Sequence, residues 1–408
     1  MTSRLLLSIA VFTAALAFSG PALGARIAGQ YIVVLKGGYD SRAVAREHAR
    51  SAGADVLYTY RSAFNGYAAR LTPAGLRVVR ADSRVAFVSA DHTVHALAQT
   101  LPTGVNRIQG DASSAVSGNG SGSVATPVAV LDTGIDTSHA DLNVVGGKNC
   151  STGSSYRDGN GHGTHVAGTI AAKDDGSGVV GMAPGAPLYA VRVLNNAGSG
   201  SWSSIICGIN WVTANAGAKG IKVANMSLGG SGADGSCGSN ALHKAICNSV
   251  AAGVTYVVAA GNSNANFANF VPATYDQVLT VTAVADFNGA PGGGAAATCR
   301  SDVDDTAADF SNFATSGSAD AGHTIAAPGV CILSTWKGGG YKTISGTSMA
   351  SPHVTGTAVL CIWSGRCTGT PSQIISKLRS DAAAQPTSYG FAGVSGRYYG
   401  SLTYAGGY

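Results

Sequence analysis

Three strings, far apart along 408 residues, carry groups that together could hydrolyse an acyl bond. They are Val130-Leu-Asp132-Thr-Gly-Ile-Asp136, Gly161-His162-Gly-Thr-His165-Val-Ala-Gly168 and Gly346-Thr-Ser348-Met-Ala-Ser-Pro352-His353. A serine hydroxyl is a poor nucleophile at neutral pH. It needs an imidazole to take its proton, and the imidazole needs a carboxylate to fix its tautomer and steady the imidazolium. Asp132, His162 and Ser348 are the candidates for those three roles. Singly, each has a duller reading, since Gly-Thr-Ser is a common turn and an Asp after a strand often caps a helix. The combination is what carries the signal. His162 and His165 could instead grip a metal from one helical face, but no Glu stands between them as in His-Glu-x-x-His. His165 is expected to pack behind the site, and His139, His243 and His353 to be structural.

The elements around these strings read as an α/β domain. Val128–Leu131 is a short apolar run without polar alternation, as a parallel strand covered on both faces requires. Similar runs are Leu188–Leu194, Ile221–Met226, Thr255–Ala259 and Leu279–Val284, with helical segments at Thr164–Ala172, Ser203–Ala216 and Asn240–Ala251. The sum is a doubly wound, mostly parallel sheet, whose ligands sit at the carboxyl ends of strands. Asp132 follows such an end. Ser348 opens a helix read over Met349–Cys361, so backbone donors and the positive end of the helix dipole lie beside any negative charge formed there.

Upstream the pattern differs. Tyr31–Leu35, Val56–Tyr60, Gly66–Leu71 and Val85–Asp91 read as strands, with helices at Ser41–Ala52 and Pro73–Arg80. This βαββαβ order suggests a small ferredoxin-like α+β sandwich. Still earlier, Arg4, an apolar stretch from Leu5 to Phe18, Pro21 and Ala22-Leu-Gly24 read as a secretory signal, too short for a membrane span. The expected domains are 1–24 (signal), 25–97 (α+β) and 98–408 (α/β), in an exported, monomeric protein.

A net charge of +5 with no basic run interleaved by aromatics argues against nucleic acid, and no later segment suggests a membrane. Fifty-seven glycines without a three-residue period fit tight connections rather than collagen. Eight cysteines in an exported chain point to disulfides. The sequence leaves their pairing open; short spacing puts Cys237–Cys247 and Cys361–Cys367 first, leaving Cys299–Cys331 and Cys150–Cys207. The acidic group Asp302, Asp304, Asp305 and Asp309 reads as solvated surface.

Chain order narrows the choice of fold. Chymotrypsin-like enzymes run His, Asp, Ser and α/β-hydrolases Ser, Asp, His, whereas this chain runs Asp, His, Ser. In that order and in all three strings, from about Tyr31 to Leu378, the chain resembles the subtilases, the serine proteases of the subtilisin and proteinase K type. The resemblance implies a secreted endopeptidase that acts on polypeptides through an acyl-enzyme. It marks Asn262, in Ala259-Ala260-Gly261-Asn262, as the side-chain donor of an oxyanion hole. Ser227-Leu228-Gly229 and Ala259-Ala260-Gly261 would wall the pocket for the residue before the scissile bond, and Gly198-Ser199-Gly200 would pair with an extended substrate backbone. Those small residues, with no acid among them, imply broad specificity with an apolar or aromatic preference that Phe270 could narrow.

The resemblance also implies a structural calcium ion. Gln99, Asp141 and Asp175 would bind it through side chains, and Lys173, Ser177 and Val179 through carbonyls, a hard oxygen set that suits Ca²⁺. Residues 25–97 would be a propeptide, acting as folding helper and inhibitor. Its tail would present Val94 and Leu97 to the cleft, with self-cleavage between Leu97 and Ala98. Two other readings are an inactive homologue serving as a binding or scaffold protein, opposed by the intact set of Asp132, His162, Ser348 and Asn262, and an acyl transferase or peptide cyclase, opposed by the lack of an extra domain or hydrophobic lid to exclude water.

Overall fold

The computed structural model describes residues 26–92 and 99–408, with the backbone alone at Arg26 and His92. The expected signal segment and the Leu97–Ala98 bond lie outside the described residues. The chain divides into two compact units, which part between Ala96 and Leu97.

The first unit runs β1 (Arg26–Leu35), α1 (Ser41–Ser51), β2 (Asp55–Tyr60), β3 (Gly66–Arg70), α2 (Pro73–Ala81) and β4 (Val85–His92). Its antiparallel sheet has the order β2-β3-β1-β4. Alternate residues Tyr31, Val33 and Leu35 of β1 meet Val44 and Ala45 of α1 and Leu76 and Val79 of α2 in one core, the period-2 against period-3.6 match that a sheet covered by helices demands. Asp40 and Thr72 cap the two helices through Ala43 N and Gly75 N.

The second unit contains α3 (Thr103–Arg107), β5 (Val128–Asp132), β6 (Val144–Asn149), α4 (His162–Ala171), β7 (Leu188–Arg192), α5 (Trp202–Lys219), β8 (Val223–Met226), β9 (Gly230–Ser231), α6 (Ala241–Ala251) and β10 (Thr255–Ala259). It continues through β11 (Phe270–Val271), β12 (Val278–Ala285), β13 (Thr306–Ala307), β14 (Ala314–Thr315), β15 (Thr324–Pro328), β16 (Ile332–Trp336), β17 (Gly340–Ile344), α7 (Thr347–Trp363), α8 (Pro371–Ala383) and β18 (Arg397–Tyr398). The main sheet has the order β13-β12-β10-β8-β5-β7-β6, with β15 also beside β12, and every pairing but that of β13 is parallel.

Each face of this sheet carries a core. Val128 and Val130 of β5 join one cluster with α4 and α7, while Ala129 and Leu131 join the other with α5 and α6. A strand that is apolar at every position is what two covered faces select. From β5 the chain winds to β7 and β6 on one side and to β8, β10 and β12 on the other. Asp132, the last residue of β5, therefore stands at the switch in strand order, where α/β sheets open a crevice.

The four disulfides are Cys237–Cys247 and Cys361–Cys367, which short spacing put first, and Cys150–Cys207 and Cys299–Cys331, the pairs it left over. The acidic group expected to be solvated surface is mostly interior. Asp302, Asp304 and Asp305 are buried, and only Asp309 is exposed. Asp304 accepts from Phe287 N and Ala295 N, Asp305 from Gly292 N, Gly293 N and Arg107, and Asp302 from Asp309 N and Arg300. These carboxylates satisfy the loop that follows β12, whose backbone donors have no strand partner. Among the described residues no helix is long and apolar enough to cross a membrane.

Candidate active site

The structure pairs Asp132 with His162 and ties Asn262 to Thr347, the residue before Ser348, while Ser348 Oγ is turned to Ser227 O. Asp132 ends β5, and its fully buried Oδ1 accepts from Thr133 N at 2.7 Å and from His162 Nδ1 at 2.8 Å. Because a carboxylate can only accept, Nδ1 carries the proton and Nε2 is left as the base. His162 opens α4 and keeps part of its ring open to solvent. Burial works against its protonation, yet the charge of Asp132, the hydrogen bond to it and the charge of Asp158 leave the imidazole more basic than usual.

Ser348 lies in the first turn of α7. That helix is buried almost throughout and contains Pro352. Proline has no N–H for the carbonyl four residues earlier, which is that of Ser348. Ser227 fills the vacancy: its Oγ donates to Ser348 O at 2.8 Å, and its own carbonyl accepts from Ser348 Oγ at 3.2 Å. Asn225 donates to Ser227 Oγ and accepts from Ser351 and Thr355, so the end of β8 is bolted to α7 through a buried polar network.

Asn262 follows β10 and is exposed. Its Oδ1 accepts from Thr347 N at 2.8 Å and Thr347 Oγ1 at 2.9 Å, which leaves Nδ2 as the end with donors to spare. A methyl group placed on Gly346 would lie 3.4 Å from Asn262 Nδ2 and 3.7 Å from Ser348 N. Asn262 Nδ2 and Ser348 N thus lie close to the same point beside Gly346, two donors from separate segments as an oxyanion site requires.

A cleft of about 850 Å³ runs past His162. Gly198, Ser199, Gly200, Ser227, Leu228 and Gly229 line it, and none of the described residues lining it is Asp, Glu, Lys or Arg. Thr133, Asn160, Leu194, Trp202 and Ile205 line it as well; sequence reading did not single these out, although Trp202 and Ile205 directly follow the glycine segment on α5. Ala259, Ala260 and Gly261 are buried and do not line this cleft. The Phe270 ring lies against both Gly229 and Gly261, where an added Cβ would come within 2.4 Å and 3.1 Å of its Cε1. His139, His165, His243 and His353 are packed. His165 Nε2 faces the carbonyls of Ile332 and Lys342, and burial pulls its pKa down to about 3, so it stays neutral.

The six residues read as metal ligands gather elsewhere in this unit. Gln99 Nε2 lies 2.6, 3.0 and 3.1 Å from the carbonyls of Lys173, Ser177 and Val179. Gln99 Oε1 and Asp141 Oδ1 are buried without a partner. Burial, reinforced by the charge of Asp175, pushes the Asp141 carboxyl up to about 6. The orphaned Gln99 amide oxygen, the buried Asp141 carboxylate and three convergent carbonyls, with the exposed Asp175 near enough to act on Asp141 through its charge, fit a hard divalent cation once the Gln99 amide turns its oxygen toward those carbonyls. Gly178, at φ +66°, admits no side chain there, because a Cβ would come within 2.5 Å of Asp141 Oδ2.

Comparison with known proteins agrees with this geometry. A model of the subtilase family matches residues 124–398, and one of the peptidase inhibitor I9 family matches residues 30–97. The chain is 43% identical over 289 residues to subtilisin DY of Bacillus licheniformis, covering 70% of this chain and 92% of that protein. It is 39% identical over 323 residues to subtilisin E of Bacillus subtilis, covering 78% and 75%. A crystal structure of a cold-adapted subtilisin-like serine proteinase superposes with a TM-score of 0.55 at 31% identity, covering 76% of this chain and 99% of that one.

Proposed function

The chain belongs to the subtilase family and is a serine endopeptidase with an I9-type inhibitor propeptide, and from that premise we propose that Asp132, His162 and Ser348 carry its chemistry. Ser348 Oγ attacks the peptide carbonyl while His162 Nε2 takes its proton. Asp132 holds the imidazole in the Nδ1–H tautomer and balances the imidazolium. The carbonyl oxygen, now negative, moves between Ser348 N and Asn262 Nδ2. His162 then gives its proton to the leaving amine, and water resolves the acyl-enzyme by the same route in reverse. The observation that carries this reading is the part-buried Asp132–His162 hydrogen bond, with His162 and Ser227, the hydrogen-bond partner of Ser348, lining one cleft.

Gly198–Gly200 pairs with the substrate backbone, and an uncharged slot beside Ser227–Gly229, with Phe270 against its glycines, takes an apolar side chain. Ala259, Ala260 and Gly261 back that slot and place Asn262. The boundaries 1–24, 25–97 and 98–408, secretion through the leader and the release of Ala98 as the new amino terminus complete the reading. A peptide-library digest read by mass spectrometry tests the specificity. Cleavage should follow apolar and aromatic residues; a preference for cleavage after Lys, Arg, Asp or Glu would overturn it.

Gln99, Asp141 and Asp175, with the carbonyls of Lys173, Ser177 and Val179, would hold a structural Ca²⁺, which supplies the missing positive charge. Chelation is expected to shorten the half-life at elevated temperature several-fold while initial turnover barely changes, since an ion that binds only the folded state stabilises it by mass action. Asp141→Ala should show the shortened half-life already, with no further response to chelator. Full, chelator-sensitive stability in Asp141→Ala would remove the site.

A further inference from the structure

Asp158 lies four residues before His162 in a loop, and all of its hydrogen-bonding capacity is spent on the two segments that carry the catalytic pair. Its Oδ1 accepts from Thr133 Oγ1 at 2.9 Å, Asn160 N at 2.8 Å and Gly161 N at 2.9 Å. Its Oδ2 accepts from Thr164 N at 3.0 Å and Thr164 Oγ1 at 2.6 Å. Gly161 is the cap of α4 and provides no capping side chain of its own, so Asp158 satisfies the N–H groups of Gly161 and Thr164, Asn160 and Thr133 take those of His162 and Gly163, and the carboxylate lays a negative charge on the positive end of the helix.

Thr133 is the link to the other segment. Its Oγ1 donates to Asp158 and accepts from Gly163 N at 2.9 Å, while its backbone N–H is the one donor besides His162 that holds the Asp132 carboxylate. The second carboxylate oxygen of Asp132 is buried without a partner. Asp132 is therefore aimed through Thr133, and Thr133 is fixed by Asp158. Thr164 Oγ1 adds a further tie by accepting from Asp136 N at 3.0 Å.

We propose that Asp158 is a positioning residue for the reaction, touching no substrate: its carboxylate locks the end of β5 to the start of α4 and sets a second negative charge beside the imidazole. This inference rests on the reading of His162 as general base and extends it. The groups facing His162 make the charge effective. Asp132 comes from β5 and Asp158 from the loop before α4; His165 on α4 is neutral, the described cleft lining has no Asp, Glu, Lys or Arg, the nearby exposed Arg157 is turned to Ser138 and Asp136, and Lys337, from the β16–β17 turn, is held to Gly159 O. The imidazolium that forms during the reaction thus meets two carboxylates, in keeping with the raised basicity of His162, to which the charge of Asp158 contributes.

The test is kcat and KM against pH for a small apolar peptide substrate, in the wild-type enzyme, Asp158→Asn and Thr133→Val, with His162→Ala as reference. Asp158→Asn should lower kcat roughly 10–100-fold through misalignment and move the acid limb of kcat/KM down by about half a pH unit to one unit, with KM nearly unchanged. Thr133→Val, which cuts the link but keeps the charge, should lower kcat without moving the limb. An unmoved limb in Asp158→Asn, or a loss confined to KM, overturns the proposal. Should Asp158→Asn fail to accumulate folded, Thr133→Val decides, and wild-type kcat there overturns it too. Activity surviving in His162→Ala would instead refute the general-base reading.

Discussion

Replacing Ser348 by alanine is expected to lower peptide hydrolysis about 10⁶-fold, the loss that subtilisin itself shows when its nucleophile is removed. The size follows from the members of the set acting as a unit. Without Oγ, His162 has no proton to take and Asp132 nothing to steady, so only binding and the two oxyanion donors remain. The fold should survive, because Ser348 Oγ makes a single hydrogen bond at 3.2 Å to Ser227 O and the helix it opens is held by its apolar surface and by Asn225. The same substitution should leave the precursor uncut. Amino-terminal sequencing of the secreted wild-type enzyme should begin at Ala98, whereas the variant should retain residues upstream of it. A variant that matures at the normal rate would show that another enzyme makes the cut.

Asn262→Ala is the second large effect, an expected 10²–10³-fold fall in kcat with KM nearly constant, as for the corresponding donor of subtilisin. Asn262 is exposed and its Oδ1 is engaged only with Thr347, so little stability depends on it. Its Nδ2 and Ser348 N lie close to the same point beside Gly346. An interaction made only once the carbonyl oxygen becomes charged should appear in kcat alone. Asn262→Asp separates charge from shape: it keeps the acceptor for Thr347 and replaces the donor with a negative group, so it should be worse than alanine. A loss that appears mainly in KM would mean that Asn262 binds the ground state.

The parts of this site that announce themselves in sequence are those whose residue types are costly anywhere else. An aspartate that follows four consecutive apolar residues has to lie at a strand end, and β5 indeed ends on Asp132. A proline near the start of an apolar helical run marks where that helix begins, and Pro352 does lie in the second turn of α7. What sequence hid is the scaffolding of ordinary polar residues. Asp158 in Asp-Gly-Asn-Gly reads as a turn, Thr133 as a small residue after a strand, and Asn225 as one polar break in an apolar run. Their meaning lies in partners 20 to 130 positions away, which no local period records. β6, with two glycines and a lysine in Val-Val-Gly-Gly-Lys-Asn, and the hairpin of β16 and β17 escaped for a related reason, since neither has the apolar run of a doubly covered strand. Asp302, Asp304 and Asp305 misled because acidic clusters are usually solvated, whereas here they replace strand partners for a long loop.

The most direct test of the account is to label the folded, mature enzyme with a serine-directed phosphonate and map the adduct by mass spectrometry. One equivalent should attach, on Ser348, with hydrolysis lost in proportion to labelling. The rate should follow the deprotonation of His162 and collapse in His162→Ala and in unfolded protein. An adduct on any other residue, or hydrolysis that persists after Ser348 is fully labelled, would contradict the assignment of Asp132, His162 and Ser348.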